Sequence, residues 1–258
     1  MTRDAIILAL VRLALAICAA AALYARWRHE HPLGIGPLRG VARAFAVGSL
    51  IGGASMIATV GLIFATGTAS VRGVSINLPL LGAGLAVFVV AGVLEEIVYR
   101  ALFLTGLIRL TGRPLLALAI SSAVFGIVHL TGSSHATAIG IVSNVAGGLM
   151  YGIAFLATRR VWLPAGAHFA WNFVQASVFG FPTSENTDFS GAILQVVIGQ
   201  PDWLSGGAYG PEGSIFSLPG RVLVIGLVLA AAYRLRPAVG ADKRATQIAG
   251  SVRSAPFS

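Results

Sequence analysis

Residues 79–108 read PLLGAGLAVFVVAGVLEEIVYRALFLTGLI, and this stretch decides the class of the fold. A helix needs about 20 apolar residues to cross the hydrocarbon core of a membrane, and the stretch is longer than that. Its only charged residues are Glu95, Glu96 and Arg100. The stretch therefore predicts a membrane-spanning helix that carries charged side chains in its interior.

The rest of the chain is also strongly apolar. Of its 258 residues, 56% are hydrophobic and only 10% are charged, which is far more apolar than a soluble domain of this length. Six further apolar runs match the length of a span or come close to it: 5–25, 44–66, 114–130, 136–157, 162–180 and 215–233. The predicted fold class is all-α, a polytopic membrane bundle of about seven transmembrane helices.

The positive charges predict how the bundle is oriented. The net charge is +9, but the arginines form short clusters between alternate apolar runs, which is typical of loops kept in the cytoplasm and not of a nucleic-acid surface. The pattern predicts an external N-terminus, a cytoplasmic C-terminus and an odd number of spans. Arg221, near the outer end of the last run, is an exception, and we expect it to snorkel to the membrane interface.

The chain is predicted to be one transmembrane domain over residues 1–236. The polar stretch 237–258 is predicted to be a disordered cytoplasmic tail. The connection 181–214 is the longest, and it carries four acids and no cation: Glu185, Asp188, Asp202 and Glu212. It is interpreted as an external loop that could form a partial lid.

Two acids stand out because they lie deep within a predicted span. An ionised side chain near the bilayer centre costs at least about 2.5 to 3.5 kcal/mol, so Glu95 and Glu96 need partners. Arg100 follows Glu96 by four residues on the same helical face, in the favourable order for an ion pair. Glu95 points about 100° away, so its partner must come from another helix.

Two histidines, His129 and His168, also lie within predicted spans. His129 shares its helical face with Phe125, and His168 shares its face with Asn172. On the run 136–157, Asn144 is interpreted as a helix-packing amide. It lies on a small or polar face with Gly140, Gly148 and Gly152, which allows a neighbouring helix to approach closely.

These residues can activate water in two ways. In the first, Glu95 is a general base, His168 and Asn172 donate to the developing oxyanion, and His129 orients the water or protonates the leaving amine. In the second, Glu95, His129 and His168 ligate a zinc ion whose bound water is the nucleophile. No His-Glu-x-x-His helix is present. The metal-free route is favoured because the ligands are scattered singly over three helices and Asn172 suits an oxyanion donor better than a zinc ligand.

Three patterns carry a family resemblance: Glu95-Glu96-x-x-x-Arg100, Phe125-x-x-x-His129 and His168-x-x-x-Asn172. In this order, each within a predicted span, they resemble the motifs of the CPBP family of intramembrane proteases, also called Abi or CAAX-protease-like. The match covers a protease-like core of about residues 79–180. The resemblance implies that Glu95 is the catalytic glutamate, that Glu96 and Arg100 accompany it, and that His129, His168 and Asn172 complete the site, with Phe125 as a supporting residue.

The resemblance implies an endopeptidase that cleaves a membrane-associated protein or peptide, prenylated or not, in a bacterial plasma membrane. Such proteins are described both as metalloproteases and as metal-independent glutamate proteases, so the cofactor stays open between none and zinc. A non-catalytic bacteriocin-immunity or partner-binding protein is the alternative from another class. A proton-coupled transporter is a further one, although the sequence shows no inverted repeat.

Overall fold

The structure is a computed structural model that describes residues 40–130 and 133–235. The predicted first span, 5–25, and the predicted tail, 237–258, lie outside the described residues. Of the described residues, 73% are helical and few lie in strands, which confirms a mostly helical fold.

The described helices follow the predicted runs closely. They are α1 Val41–Ala65, α2 Leu78–Glu96, α3 Thr105–Thr111, α4 Pro114–Leu130, α5 Ala138–Thr158, α6 Trp162–Phe173, the short α7 Asp202–Ser205, and α8 Ser217–Leu235. Segments of π-helix, Ile97–Leu104 and Val174–Val178, follow α2 and α6 directly, and 3-10 turns occupy Gly207–Tyr209 and Pro211–Gly213. Within the described residues, three helices are long and apolar enough to cross a membrane: Val41–Ala65, Leu78–Thr111 and Ala138–Thr158.

Local sequence explains where several helices begin and end. The Asn77 side chain accepts a hydrogen bond of 3.0 Å from Leu80 N at the start of α2, where Pro79 suits a first turn that needs no N–H donor. Thr137 caps α5 in the same way by accepting from Gly140 N. Gly112 ends α3 with a positive φ of 65°, which glycine adopts without steric cost.

Helix α6 lies at the centre of the bundle and contacts α1, α2 and α5. Glycines allow its backbone to approach that of α1: Gly48 and Gly52 lie against the backbone of Leu163 and Ala167. The glycine face predicted on α5 is confirmed in the same way, since Gly148 packs on the backbone of Ser122 and Gly152 on the side chain of Leu118, both in α4. The sequence thus predicts which helix faces can pack closely.

A two-stranded antiparallel sheet was not predicted. Strand β1, Ala69–Val74, pairs with β2, Leu194–Ile198, with an irregularity between Val71 and Gly73. The sheet joins the α1–α2 connection to a segment that we call the cap, residues 181–216. The cap is also held by side chains of the second π-helix, since Gln175 donates to Pro182 O at 2.7 Å and Ser177 to Phe189 O at 3.1 Å.

Candidate active site

Glu95 and Glu96 lie at the end of α2, where the helix changes to the π-helical segment Ile97–Leu104. Successive residues of an α-helix point about 100° apart, so the two carboxylates leave the helix on different faces. Glu96 is completely buried, whereas the Glu95 side chain is 31% exposed. Single π-helical turns are rare and are frequent at functional sites. The two adjacent acids therefore have different environments.

Gly92 brings α2 close to α6 one turn before the glutamates. A Cβ atom at this position would lie 3.1 Å from the backbone N of Phe169 and 3.2 Å from the backbone O of Ala165. Such contacts are tighter than ordinary van der Waals packing, so the absence of a side chain lets the two backbones meet here. His168, next to Phe169 on α6, thereby reaches both carboxylates.

Glu96 joins α2, α6 and the π-helix through its two oxygens. Its Oε2 lies 3.1 Å from Arg100 Nε, a buried ion pair that is not aligned as a hydrogen bond, and its Oε1 lies 3.0 Å from His168 Nδ1. Arg100 also donates from Nη2 to the carbonyl oxygen of Gly148 in α5, at 3.3 Å. The predicted pair of Glu96 with Arg100 is confirmed, and its contact with His168 is an addition to the prediction.

Glu95 meets both histidines. Its Oε2 lies 3.7 Å from His129 Nε2 and 3.9 Å from His168 Nε2. The His129 side chain is 23% exposed and that of His168 only 5%. Residues from α2, α4 and α6 thus come together although they are far apart in the sequence, and Glu95 has partners from other helices, as its position predicted.

The second nitrogen of each ring fixes the proton positions. His129 Nδ1 lies 2.8 Å from the carbonyl oxygen of Phe125, which can only accept, so this nitrogen carries a proton. His168 Nδ1 faces the Glu96 carboxylate and carries a proton for the same reason. In the neutral rings both Nε2 atoms are therefore acceptors. The expected role of His168, donation to an oxyanion from Nε2, requires a second proton on the ring.

Aromatic rings hold the charged and imidazole groups in place. The Phe125 ring centroid lies 4.3 Å from that of His129 and 4.4 Å from Arg100 Cζ. The Tyr151 ring stacks on His168, with centroids 4.5 Å apart and planes 16° apart. Stacking of this kind stabilises the arrangement and excludes water from the back of the site.

A cavity of about 210 Å³ opens beside these groups. Glu95, His129, His168 and Asn172 line one part of it, together with Phe125 and Tyr151. Val87, Phe88 and Ala91 of α2 form an apolar wall, and the cap contributes Thr183, Ser184, Asn186, Phe189 and Glu212. All four residues predicted to be catalytic therefore face one cavity, partly covered by the segment that was interpreted as a lid.

Glu95, His129 and His168 are also the residues of the predicted zinc alternative. Their donor types suit zinc, but ligands about 2.0 to 2.1 Å from a tetrahedral zinc lie about 3.4 Å apart, and the spacings here are 3.7 and 3.9 Å. Within residues 40–130 and 133–235, no group of three or more His, Cys, Asp and Glu side chains is arranged to hold a metal ion. The zinc alternative therefore stays a prediction, with its three donors together but farther apart than in a closed zinc site.

A second group of buried polar residues lines the same cavity, and we call it the Arg221 cluster. Arg221 donates from Nε to Ser143 Oγ at 2.9 Å and lies with Nη2 3.7 Å from Glu212 Oε1. Its guanidinium also lies 4.8 Å from the Trp171 ring centroid. The other members are bonded in turn: Asn144 Nδ2 donates to Tyr209 Oη at 2.5 Å, and Ser184 Oγ donates to Glu212 Oε2 at 2.7 Å.

The Arg221 cluster corrects one sequence-based expectation and adds to another. Arg221 does not snorkel, because it is buried with 2% exposure and pairs with Glu212 of the cap. Asn144, interpreted as a helix-packing amide, also lines the cavity and joins α5 to Tyr209. Burial raises the pKa of the Tyr209 hydroxyl, and the nearby Glu212 raises it further. The connection before α8 carries four acids and no cation. These acids were the sequence signal that could have indicated a partner for Arg221.

The fold and the site describe a helical membrane protein with a glutamate and two histidines around a partly buried cavity. Residues 77–174 match the family model described as type II CAAX prenyl endopeptidase, Rce1-like. This segment contains all three motifs, and the match confirms the CAAX-protease family resemblance predicted from them. The comparisons with curated proteins and with solved structures found no match.

Proposed function

We propose that this protein is an intramembrane endopeptidase in which Glu95 activates the water that hydrolyses a peptide bond. The observation that carries the proposal is the approach of Glu95 Oε2 to the Nε2 atoms of His129 and His168, at 3.7 and 3.9 Å, beside a cavity. The match to a family of prenyl endopeptidases independently supports a protease. An acidic side chain inside a membrane-spanning segment is energetically costly, so its presence there usually indicates a function.

The geometry supports a general-base mechanism. Glu95 takes one proton of the water as the water oxygen bonds to the carbonyl carbon of the substrate, and the other O–H group of the water donates to one of the two Nε2 atoms, which orients the water. Asn172 donates to the oxyanion that forms. When the C–N bond breaks, Glu95 returns the proton to the leaving amine. Glu96 and Arg100 act through His168, whose tautomer and ring position they fix.

The membrane arrangement is part of the proposal. Seven spans, an external N-terminus and a cytoplasmic C-terminus in a bacterial plasma membrane agree with the arginine clusters between alternate runs. This arrangement puts the cap outside. Two variants that lack Cys18 test this arrangement, one with a single cysteine at position 188 in the cap and one with a single cysteine at position 113. The cysteine at 188 should react with an impermeant thiol reagent added outside. The cysteine at 113 should react only after the membrane is opened. The reverse labelling would invert the topology.

The proposed substrate is a membrane-associated protein or peptide, and no metal is required. Purified protein should cleave at least one member of a library of synthetic peptides, each made with and without a farnesyl group on a cysteine. The farnesylated and plain members show whether a prenyl group is recognised. Elemental analysis and a chelator test on the same preparation show whether cleavage requires a metal ion. Bound zinc together with chelator-sensitive cleavage would establish the zinc alternative.

Substitutions test the residues directly. Glu95→Gln should lower kcat by about 10² to 10⁴-fold, because the general base is lost while its shape is kept. His129→Gln and His168→Gln should also lower kcat. The matched controls are Asp202→Asn and His135→Gln, which alter an exposed acid at the start of α7 and an exposed histidine of a loop. Cleavage by folded Glu95→Gln at the wild-type rate would refute the mechanism. No cleavage by wild type, together with binding of a partner that Glu95→Gln retains, would favour a non-catalytic partner-binding protein.

A further inference from the structure

The proposed reaction needs hydrogen-bond donors at the place where the oxyanion forms. Such sites are usually built from two or more donors, and one donor contributes about 10² to 10³-fold in kcat. The proposed mechanism takes both rings as neutral, so Glu95 and the Nε2 atoms of His129 and His168 are acceptors around the reaction centre. Arg100 is directed at Glu96 and Gly148. Asn172 is therefore the one donor that the proposed function has named.

Most other polar side chains of the cavity already have partners. Asn144 donates to Tyr209, Ser184 to Glu212, and Asn186 to Asp188. Arg221 is directed at Ser143, Asn144 and Glu212. Two hydroxyl groups on the cavity wall remain, those of Tyr151 and Thr183.

Tyr151 is the one of these two that touches the catalytic group. Its ring stacks face to face on His168, at 4.5 Å and 16°, and it meets Phe125 edge to face at 6.3 Å. The side chain is 2% exposed, so its ring has no room to turn away. Within the described residues, none of the hydrogen bonds uses its hydroxyl, although the side chain lines the cavity. Thr183 lies on the cap instead, with its Oγ1 buried and without a hydrogen-bond partner.

We propose that Tyr151 is a further catalytic residue, whose hydroxyl donates a hydrogen bond to the oxyanion beside the amide of Asn172. This inference rests on the proposed function and completes its oxyanion site. The fixed ring makes the donor preorganised, because the hydroxyl needs no reorientation when charge develops on the substrate oxygen. The tyrosine keeps its proton throughout, so the water, Glu95 and leaving-amine steps keep their proton balance.

The test is Tyr151→Phe, which removes one oxygen and keeps the ring on His168. We expect kcat to fall by about 10² to 10³-fold with KM nearly unchanged, since the donor acts on the transition state. Tyr233→Phe is the matched control, because Tyr233 is an exposed residue of α8 that does not line the cavity, and its kcat should equal that of wild type. Tyr151→Leu, which also removes the stacking, should lose thermal stability as well.

The outcomes separate this inference from the proposed function. If wild type cleaves, Glu95→Gln does not, and Tyr151→Phe is as active as wild type, the proposed function holds and the role of Tyr151 is overturned. If Thr183→Val lowers kcat and Tyr151→Phe does not, the cap supplies the second donor and the inference is likewise overturned. A Tyr151→Phe protein that binds a peptide aldehyde as tightly as wild type would also contradict a contact with the oxyanion.

Discussion

Gly52→Ala should disturb the active site although residue 52 lies on a helix that carries none of the catalytic groups. A Cβ atom at Gly52 would lie 2.8 Å from both the backbone C and the Cα of Ala167, and it would also clash with the Ala167 carbonyl oxygen. Ordinary van der Waals contact begins at 3.4 Å. Helices α1 and α6 must therefore separate by at least 0.6 Å, the difference between 3.4 and 2.8 Å.

The separation moves His168, which follows Ala167 directly. Overpacking of this kind costs about 1 to 3 kcal/mol of stability. Because a misplacement of about 1 Å can cost 10²-fold in rate, we expect kcat/KM to fall by roughly 10 to 10²-fold. The assay is cleavage of the best library peptide, together with thermal unfolding in detergent.

Gly61→Ala is the matched control on the same helix. Nothing lies within 4 Å of a Cβ atom at Gly61, so alanine should leave activity unchanged and stabilise the helix by up to about 1 kcal/mol. Equal activity and equal stability in the two variants would refute the reasoning that the α1–α6 contact sets the position of His168.

Two further variants test the buried ion pairs. Glu96→Gln should lower the free energy of unfolding by about 3 to 5 kcal/mol, because Arg100 is left buried without its charge partner. Its kcat should also fall, because the tautomer of His168 is no longer fixed. Unchanged thermal unfolding and kcat would show that the pair is dispensable. Glu212→Gln should loosen the cap because it breaks the ion pair with Arg221, and limited proteolysis between residues 181 and 216 would detect the change. The control is Asp188→Asn at an exposed position. Equal cutting of the two variants would contradict a role of Glu212 in holding the cap.

The sequence predicted helices well because their signal is local. The run 114–130 begins at a proline that suits a first helical turn, and the structure has α4 at Pro114–Leu130. The sheet escaped prediction for the opposite reason. Strand β1 is short, contains Arg72 and Gly73, and pairs with a strand more than 100 residues later, so no local pattern indicates its partner.

The candidate site divides in the same way. The pairing of Glu96 with Arg100 follows from helical spacing, and the partners of Glu95 follow from the cost of a lone membrane carboxylate. The contact of His168 with Glu96 depends on how α2 and α6 are rotated about their axes, which single-helix patterns do not specify. The position of Arg221 depends on the folding of the cap, which returns Glu212 to the bundle.

We expect Glu95 to activate a water molecule that becomes part of the product. The most direct measurement is cleavage in water enriched in oxygen-18, with mass spectrometry of both peptide fragments. Wild type should give oxygen-18 in the new carboxyl group of the N-terminal fragment, and Glu95→Gln should give no cleavage product. Label-free fragments from wild type, or labelled fragments formed at the same rate by Glu95→Gln, would contradict it.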